Sequence, residues 1–305
     1  MKHAFMIMAH GNFSILERLL AALDDADNLL IVHVDKKARF SSSDQIRCEK
    51  IIKKSKIIFI KRQKVSWGGS NMIDCELRLL AVATQQNCDY CHLMSGVDFP
   101  LKSNKEIHAF FEKYNGKEFV HVAPNTTGSN EKSFIETYKK RFTKYHFFQN
   151  AVGRNKKNPL KYLKAISDKI QDRLKFIDRS RKSKVSFYGG SQWFSITNSF
   201  AKYILSHKKQ IKKMYRFTSC CDEIFVQTLL CNSSFNENRY LKDFVTDNLE
   251  QCQRYIDWER GKPYTFDISD YDLLIDSGYC FCRKVGDDTD SRKLLIDKLE
   301  EHIKS

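Results

Sequence analysis

Apolar residues near the N-terminus fall into blocks whose length and spacing separate strands from helices. Ala4 to Ala9 and Leu29 to Asp35 are apolar runs of strand length. Between them Phe13, Leu16, Leu19, Leu20 and Leu23 recur at helical spacing. Two strands too apolar to be half exposed, joined through a helix, predict a parallel sheet covered on both faces. The alternation continues through a strand at Ile57 to Ile60, a helix at Met72 to Thr84 and a strand at Tyr90 to Met94 that runs into the turn Ser95 to Pro100. A helix at Lys105 to Tyr114 and a strand at Glu118 to Val122 complete what reads as the nucleotide-binding half of an α/β protein.

The alternation then stops. Pro159 is suited to open a helix, and Leu160, Leu163, Ile166, Ile170, Leu174 and Ile177 follow at helical spacing. Lys161, Lys164, Lys169, Arg173 and Lys175 are interleaved, so this helix is amphipathic with a cationic side. Strand material at Ser186 to Thr197, interrupted by Gly189-Gly190, leads to helices at Asn198 to Ser206 and from about Asp222 to Cys231. Short strand-like pieces and a charged helix, Asp290 to Ile303, end the chain. The expected organisation is one domain over 1–305, with a nucleotide half at 1–125, a basic insert at 139–184 and an acceptor and catalytic half at 185–305.

Composition narrows this picture. With 42% hydrophobic and 29% charged residues the chain is an ordinary globular protein, and 12 Gly and 4 Pro leave little for long linkers. The net charge of +15 is concentrated, since Lys139 to Lys184 holds 16 basic and 3 acidic residues. Ten cysteines suit a disulfide framework poorly in a chain of 305 residues, and no apolar run is long enough to span a membrane. The short apolar run after Met1-Lys2-His3 is strand-like and does not resemble a secretory leader. A cytoplasmic protein with free thiols is expected. Cys88 and Cys91 read as small buried side chains, because Cys220-Cys221 and Cys280/Cys282 lack the spacing of zinc ligands.

Three features bear on chemistry. Asp222-Glu223 lies at a predicted helix start, where an acidic pair either caps the helix or works in a site. Trp67, Trp193 and Trp258 stand beside glycines or charged residues, as aromatic rings do where a sugar or base stacks, and core packing is the competing reading. Arg283-Lys284 follows an apolar strand-like run, with a solvated face as the alternative.

Taken together the motifs resemble those of the core-2/I-branching β-1,6-N-acetylglucosaminyltransferases and peptide O-xylosyltransferases, glycosyltransferase family 14, in a bacterial-type member. The matching pieces are Ala9-His10, Val32-His33-Val34-Asp35, Val65-Ser66-Trp67, Ser95-Gly96-Val97-Asp98-Phe99-Pro100-Leu101-Lys102, Gly190-Ser191-Gln192-Trp193-Phe194, Asp222-Glu223, Trp258 and Phe281-Cys282-Arg283-Lys284. The resemblance implies a GT-A-like, Rossmann-type mixed sheet flanked by helices and without the Asp-x-Asp metal motif. It implies metal-independent, inverting transfer from a UDP-sugar, most simply of GlcNAc or xylose, to a glycan hydroxyl. Asp-x-Asp triplets do occur at Asp25–Asp27, Asp270–Asp272 and Asp288–Asp290, but Ser95 to Pro100 occupies the place after a central strand where a GT-A metal is held.

Residue by residue, the resemblance makes Glu223 the general base, and a carboxylate of ordinary acidity is ionised at neutral pH. It makes Lys284 the cation that stabilises the departing diphosphate, with Arg283 beside it. A second cation is Arg254, Arg260 or Lys262. His10, Asp35, Trp67 and Asp98 are expected on the donor side, and Trp193 and Trp258 on the acceptor side. No cofactor or metal is expected.

The basic insert leaves three readings open: an anionic membrane at the inner face of the cell, where a lipid-linked acceptor would be extended; an acidic acceptor glycan or its pyrophosphate; or a solvated surface whose Leu/Ile face packs on the catalytic body. A non-catalytic module binding nucleic acid or membrane is the alternative of a different class. Against nucleic acid, the aromatics Tyr138, Phe142, Tyr145, Phe147 and Phe148 cluster before the cationic helix instead of alternating with its charges.

Overall fold

The computed structural model describes the chain except for residues 125–137, 140, 156, 175–178, 180–184, 243–247 and 305. Strands β1 (His3–Ala9), β2 (Asn28–Val34), β3 (Lys56–Phe59) and β4 (Tyr90–Ser95) lie parallel. Beside β4 the order β3-β2-β1-β4-β7-β6 is completed by antiparallel β7 (Phe194–Thr197), which pairs in turn with β6 (Phe119–Val120). The architecture is therefore an α/β mixed sheet flanked by helices, and the parallel expectation holds for its first four strands.

Side-chain alternation explains why both faces are covered. Along β1, Phe5, Ile7 and Ala9 enter one apolar cluster while Ala4 and Met6 enter the other. The first cluster includes residues of α1 (Phe13–Ala22), α4 (Asn104–Lys113) and the last helix, Asp290–Lys304. The second includes α3 (Asn71–Gln85), Asn198–Ser206 and Phe225–Cys231. Each fully buried Leu or Ile in these clusters contributes about 1.5–3 kcal/mol relative to exposure.

A second sheet holds the site in place. It joins β5 (Asp98–Pro100), β9 (Phe281–Arg283) and β8 (Arg254–Ile256), in the order β5-β9-β8. β5 follows directly on the end of β4, so the turn read at Ser95 to Pro100 is a turn plus a three-residue strand. Its antiparallel register pairs Asp98 with Arg283. Strand material at Ser186 to Thr197 shrinks to Phe194–Thr197, because Gly189 and Gly190 bring the preceding backbone against Tyr138 and His121 instead of a neighbouring strand.

Further helices are α2 (Ser42–Ile51), α5 (Gln149–Val152), α6 (Leu160–Arg173), α7 (Asn198–Ser206), α8 (Lys208–Tyr215), α9 (Phe225–Cys231), α10 (Tyr271–Asp276) and α11 (Asp290–Lys304). Ile177, expected on the basic helix, lies outside the described residues. No helix among the described residues is long and apolar enough to cross a membrane. All ten thiols are free, and Cys88 and Cys91 are buried as expected.

Candidate active site

The cationic side is built where β1, β2 and β4 end. The β5–β9 register places Arg283 opposite Asp98, whose Oδ1 accepts from Arg283 Nη1 at 2.5 Å. Asp98 Oδ2 accepts from the Ser95 backbone N–H at 2.9 Å. Burial raises the pKa of the Asp98 carboxyl above the usual range despite the opposing pull of Arg283. The Arg283 guanidinium also lies 4.3 Å from the ring centre of Trp193. At the next position Lys284 is half buried, and among the described residues no carboxylate pairs with it. His10, just beyond β1, is shifted down by partial burial and by Arg283, Lys37 and Lys284, with Asp35 opposing. One imidazole thus feels charges carried by two separate stretches of chain, Asp35 to Lys37 and Arg283-Lys284. Asp35 itself is buried, accepting from the Lys37 backbone N–H at 2.9 Å and pairing with Lys37 Nζ at 3.4 Å.

The carboxylate side is built on a 3₁₀ turn, Cys221–Glu223, that precedes α9. Cys220 enters it at φ 45°, and its N–H donates to Gly68 O at 2.9 Å. The Glu223 carbonyl accepts from Gly190 N–H at 2.9 Å. Three carboxyl groups gather here. Glu76, on α3, is fully buried and accepts from Gln192 Nε2 at 2.8 Å. Asp222 is buried and pushed up to about 7, first by burial and then by the charge of Glu223. Glu76 lies well above the usual range through burial and the charge of Asp222. Glu223 is the outermost of the three, with 31% of its side chain exposed. Its Oε2 pairs with Arg141 Nη1, and among the described residues nothing donates to Oε1. Arg141 in turn lies over the Tyr138 ring at 4.7 Å. Gln192 and Trp193, adjacent in sequence, tie this acidic group to the Arg283 side.

The model of the Core-2/I-branching enzyme family matches residues 3–273. The chain belongs to that family. Rat xylosyltransferase 2 is 24% identical over 283 residues, which is 88% of this chain and 30% of that protein. Human xylosyltransferase 1 is 23% identical, again over 88% of this chain but 27% of its own length. The chain thus spans less than a third of the curated relatives it matches. The apo crystal structure of mouse xyloside xylosyltransferase 1 overlaps 95% of this chain and 99% of that one, at TM-score 0.39 and 11% identity.

In this branching-enzyme member the residues singled out from sequence separate into distinct environments. His10, Asp35, Asp98, Arg283 and Lys284 come together; Asp98 reaches the site only through Arg283, being 1% exposed. Trp193 was expected to offer a stacking face to an acceptor, but it is buried and its ring is covered by Arg283. It acts as a wall between the two sides. Trp67 and Trp258 do keep open surface, at 46% and 56% exposure. Arg154 lies 4.0 Å over the Trp67 ring, and Gln149 Nε2 donates to Trp67 O at 3.0 Å.

The three alternatives for the second cation are also separated. Arg254 is buried, donating to the carbonyls of Cys252, Leu93 and Phe194 and to Ser195 Oγ, so it braces β4, β7 and β8 from within. Arg260 is held by Asp257 at 2.5 Å and Asp270 at 2.7 Å. Lys262 is exposed and unpaired among the described residues. It lies two residues before Tyr264, whose carbonyl accepts from the Lys284 N–H at 3.4 Å.

Sequence reasoning missed Arg141 and Glu76. Glu76 had a signal, since Ile73, Glu76, Leu80 and Ala83 share the buried side of α3 at helical spacing. Arg141 was one cation among many in the basic insert. Among the described residues one set of three metal-type ligands lies within mutual reach, Asp25, Asp27 and His108. It stands where β2 begins, at the end of the parallel strands opposite to the one that carries His10 and Asp35.

Proposed function

We propose that this branching-enzyme family member is an inverting glycosyltransferase that moves a sugar from a UDP-sugar to a hydroxyl of a glycan or protein acceptor without a metal. The observation that carries the reading is that an open carboxylate oxygen, Glu223 Oε1, and an ammonium with no carboxylate partner among the described residues, Lys284, belong to groups joined through the adjacent Gln192 and Trp193.

The acceptor hydroxyl approaches Glu223 Oε1 and attacks C1 of the donor sugar from the face opposite the diphosphate. As the new C1–O bond forms, Glu223 takes the hydroxyl proton. The bond between C1 and the diphosphate oxygen breaks, its electron pair stays with UDP, and Lys284 stabilises the charge that develops there. Arg141 holds Oε2 and so fixes the orientation of the base. Burial raises Glu76 well above the usual range and Asp222 to about 7, which lessens the negative charge that Glu223 meets. Asp98 acts as a positioning residue, keeping Arg283 against Trp193.

Relatives named xylosyltransferase make UDP-xylose the first donor to test, and UDP-N-acetylglucosamine the second. The test is release of UDP from a panel of UDP-sugars in the presence of excess EDTA. Turnover of at least one UDP-sugar, unchanged by EDTA, is expected. No turnover of any, or activity lost to EDTA and restored by Mn²⁺, overturns the donor or the metal-free reading respectively.

A further inference from the structure

Helix α6 is turned with its polar side to the protein. Gln171, its buried residue, accepts from the Tyr145 N–H at 2.7 Å and donates to Tyr145 O at 2.8 Å. Lys164 and Asp168, on the same side, pair at 3.0 Å. The apolar stripe that an amphipathic helix ordinarily buries stays in solvent, with Leu163, Ile166, Ile170 and Leu174 between 39% and 53% exposed. Tyr162, Phe147 and Phe148 add exposed rings, and Tyr145, which Gln171 holds, tethers the Phe147–Phe148 turn to the helix.

Charge surrounds this stripe. Lys157, Lys169 and Arg173 are exposed and unpaired among the described residues. The cationic surface continues onto α8, where Lys208, Lys209 and Lys213 are likewise unpaired and whose Met214 carbonyl accepts from Arg179 at 2.6 Å. Phe147 packs on Phe217, just past α8, at 5.1 Å between ring centres.

We propose that α6 docks on an anionic phospholipid bilayer, its Leu163, Ile166, Ile170 and Leu174 stripe entering the headgroup boundary and its cations meeting the lipid phosphates. Aliphatic and cationic character on one helix face matches that surface in both respects. A second copy of the chain would bring two strongly basic segments together, and an acidic polymer would leave the aliphatic stripe in water.

The test uses the full chain in co-sedimentation with phosphatidylcholine vesicles, with and without phosphatidylglycerol. Partitioning at least tenfold stronger on the anionic vesicles, weakened by salt, is expected. Ile166→Ser with Ile170→Ser lowers it tenfold or more, and Lys169→Glu and Arg173→Glu lower it about fivefold each. All four positions are exposed, so melting temperatures stay unchanged, as does turnover of a soluble donor without vesicles. Equal partitioning on the two vesicle types, absence of binding, or a dimer in sedimentation velocity that the isoleucine variant dissolves overturns the proposal. The binding readout leaves the sugar-transfer reading untouched in every case.

Discussion

Replacing Asp98 by Asn removes one charge from a buried pair while keeping the shape of the side chain. Breaking such a pair commonly costs about 3–5 kcal/mol, because the remaining charge is left without compensation. Here the cost is smaller. The Asp98 carboxyl is raised above its ordinary range, so the ionised form is less comfortable in the fold than in water. The sign follows: between the unfolded and folded values the native state keeps a proton that the unfolded state releases, and the charge at neutral pH subtracts from stability. Arg283 also retains the Trp193 face when its carboxylate is gone. Asp98→Asn is therefore expected to cost about 1–2 kcal/mol, a fall in melting temperature of about 2–8 °C. Transfer falls further. The 2.5 Å ion pair that fixes Arg283 becomes a hydrogen bond from the still-charged guanidinium to a neutral amide oxygen, and loss of about 1.5–3 kcal/mol in positioning corresponds to roughly a 10- to 150-fold drop in kcat/KM. Thermal melting and UDP release, measured on the same preparation, separate the two effects. A large loss of stability with kcat/KM unchanged would refute the positioning role.

Two further outcomes follow from the geometry. Gly190→Ala would place its Cβ 1.9 Å from the His121 carbonyl oxygen, which is backbone and cannot rotate away, so a loss above about 3 kcal/mol is expected in denaturant unfolding; near-wild-type stability would show that this approach is not tight. For Asp222, raised to about 7, the native state holds a proton through the window from roughly pH 4 to 7 that the unfolded chain gives up, so stability declines as pH rises across it. Asp222→Asn should flatten that decline by up to one proton's worth of slope, read from melting temperature against pH; an unchanged slope would show that Asp222 titrates normally.

The parallel half was legible because β1 and β2 are buried on both faces and therefore read as unbroken apolar runs. Helices α2 and α8 were not, since only Cys48 of α2, and Ile211 and Tyr215 of α8, are buried, too few to set a period. β5 and β8 have three residues each and owe their existence to β9, whose pairing with β5 spans well over a hundred residues of chain. Such strands leave no local signature. Glu223 and Lys284 became candidates through motif resemblance, as spacing alone reads Asp222-Glu223 as a cap and Arg283-Lys284 as a solvated face. That Trp193 is covered, and that Arg254 is a brace within the core, depends on contacts between distant segments that no local pattern carries.

The general-base role of Glu223 is the centre of the account, and single-turnover transfer by Glu223→Gln tests it most directly. Gln keeps the shape and cannot take the proton, so the rate is expected to fall by about 10²- to 10⁴-fold while donor affinity, measured separately by calorimetry, stays close to wild type. Transfer within a few-fold of wild type would contradict it.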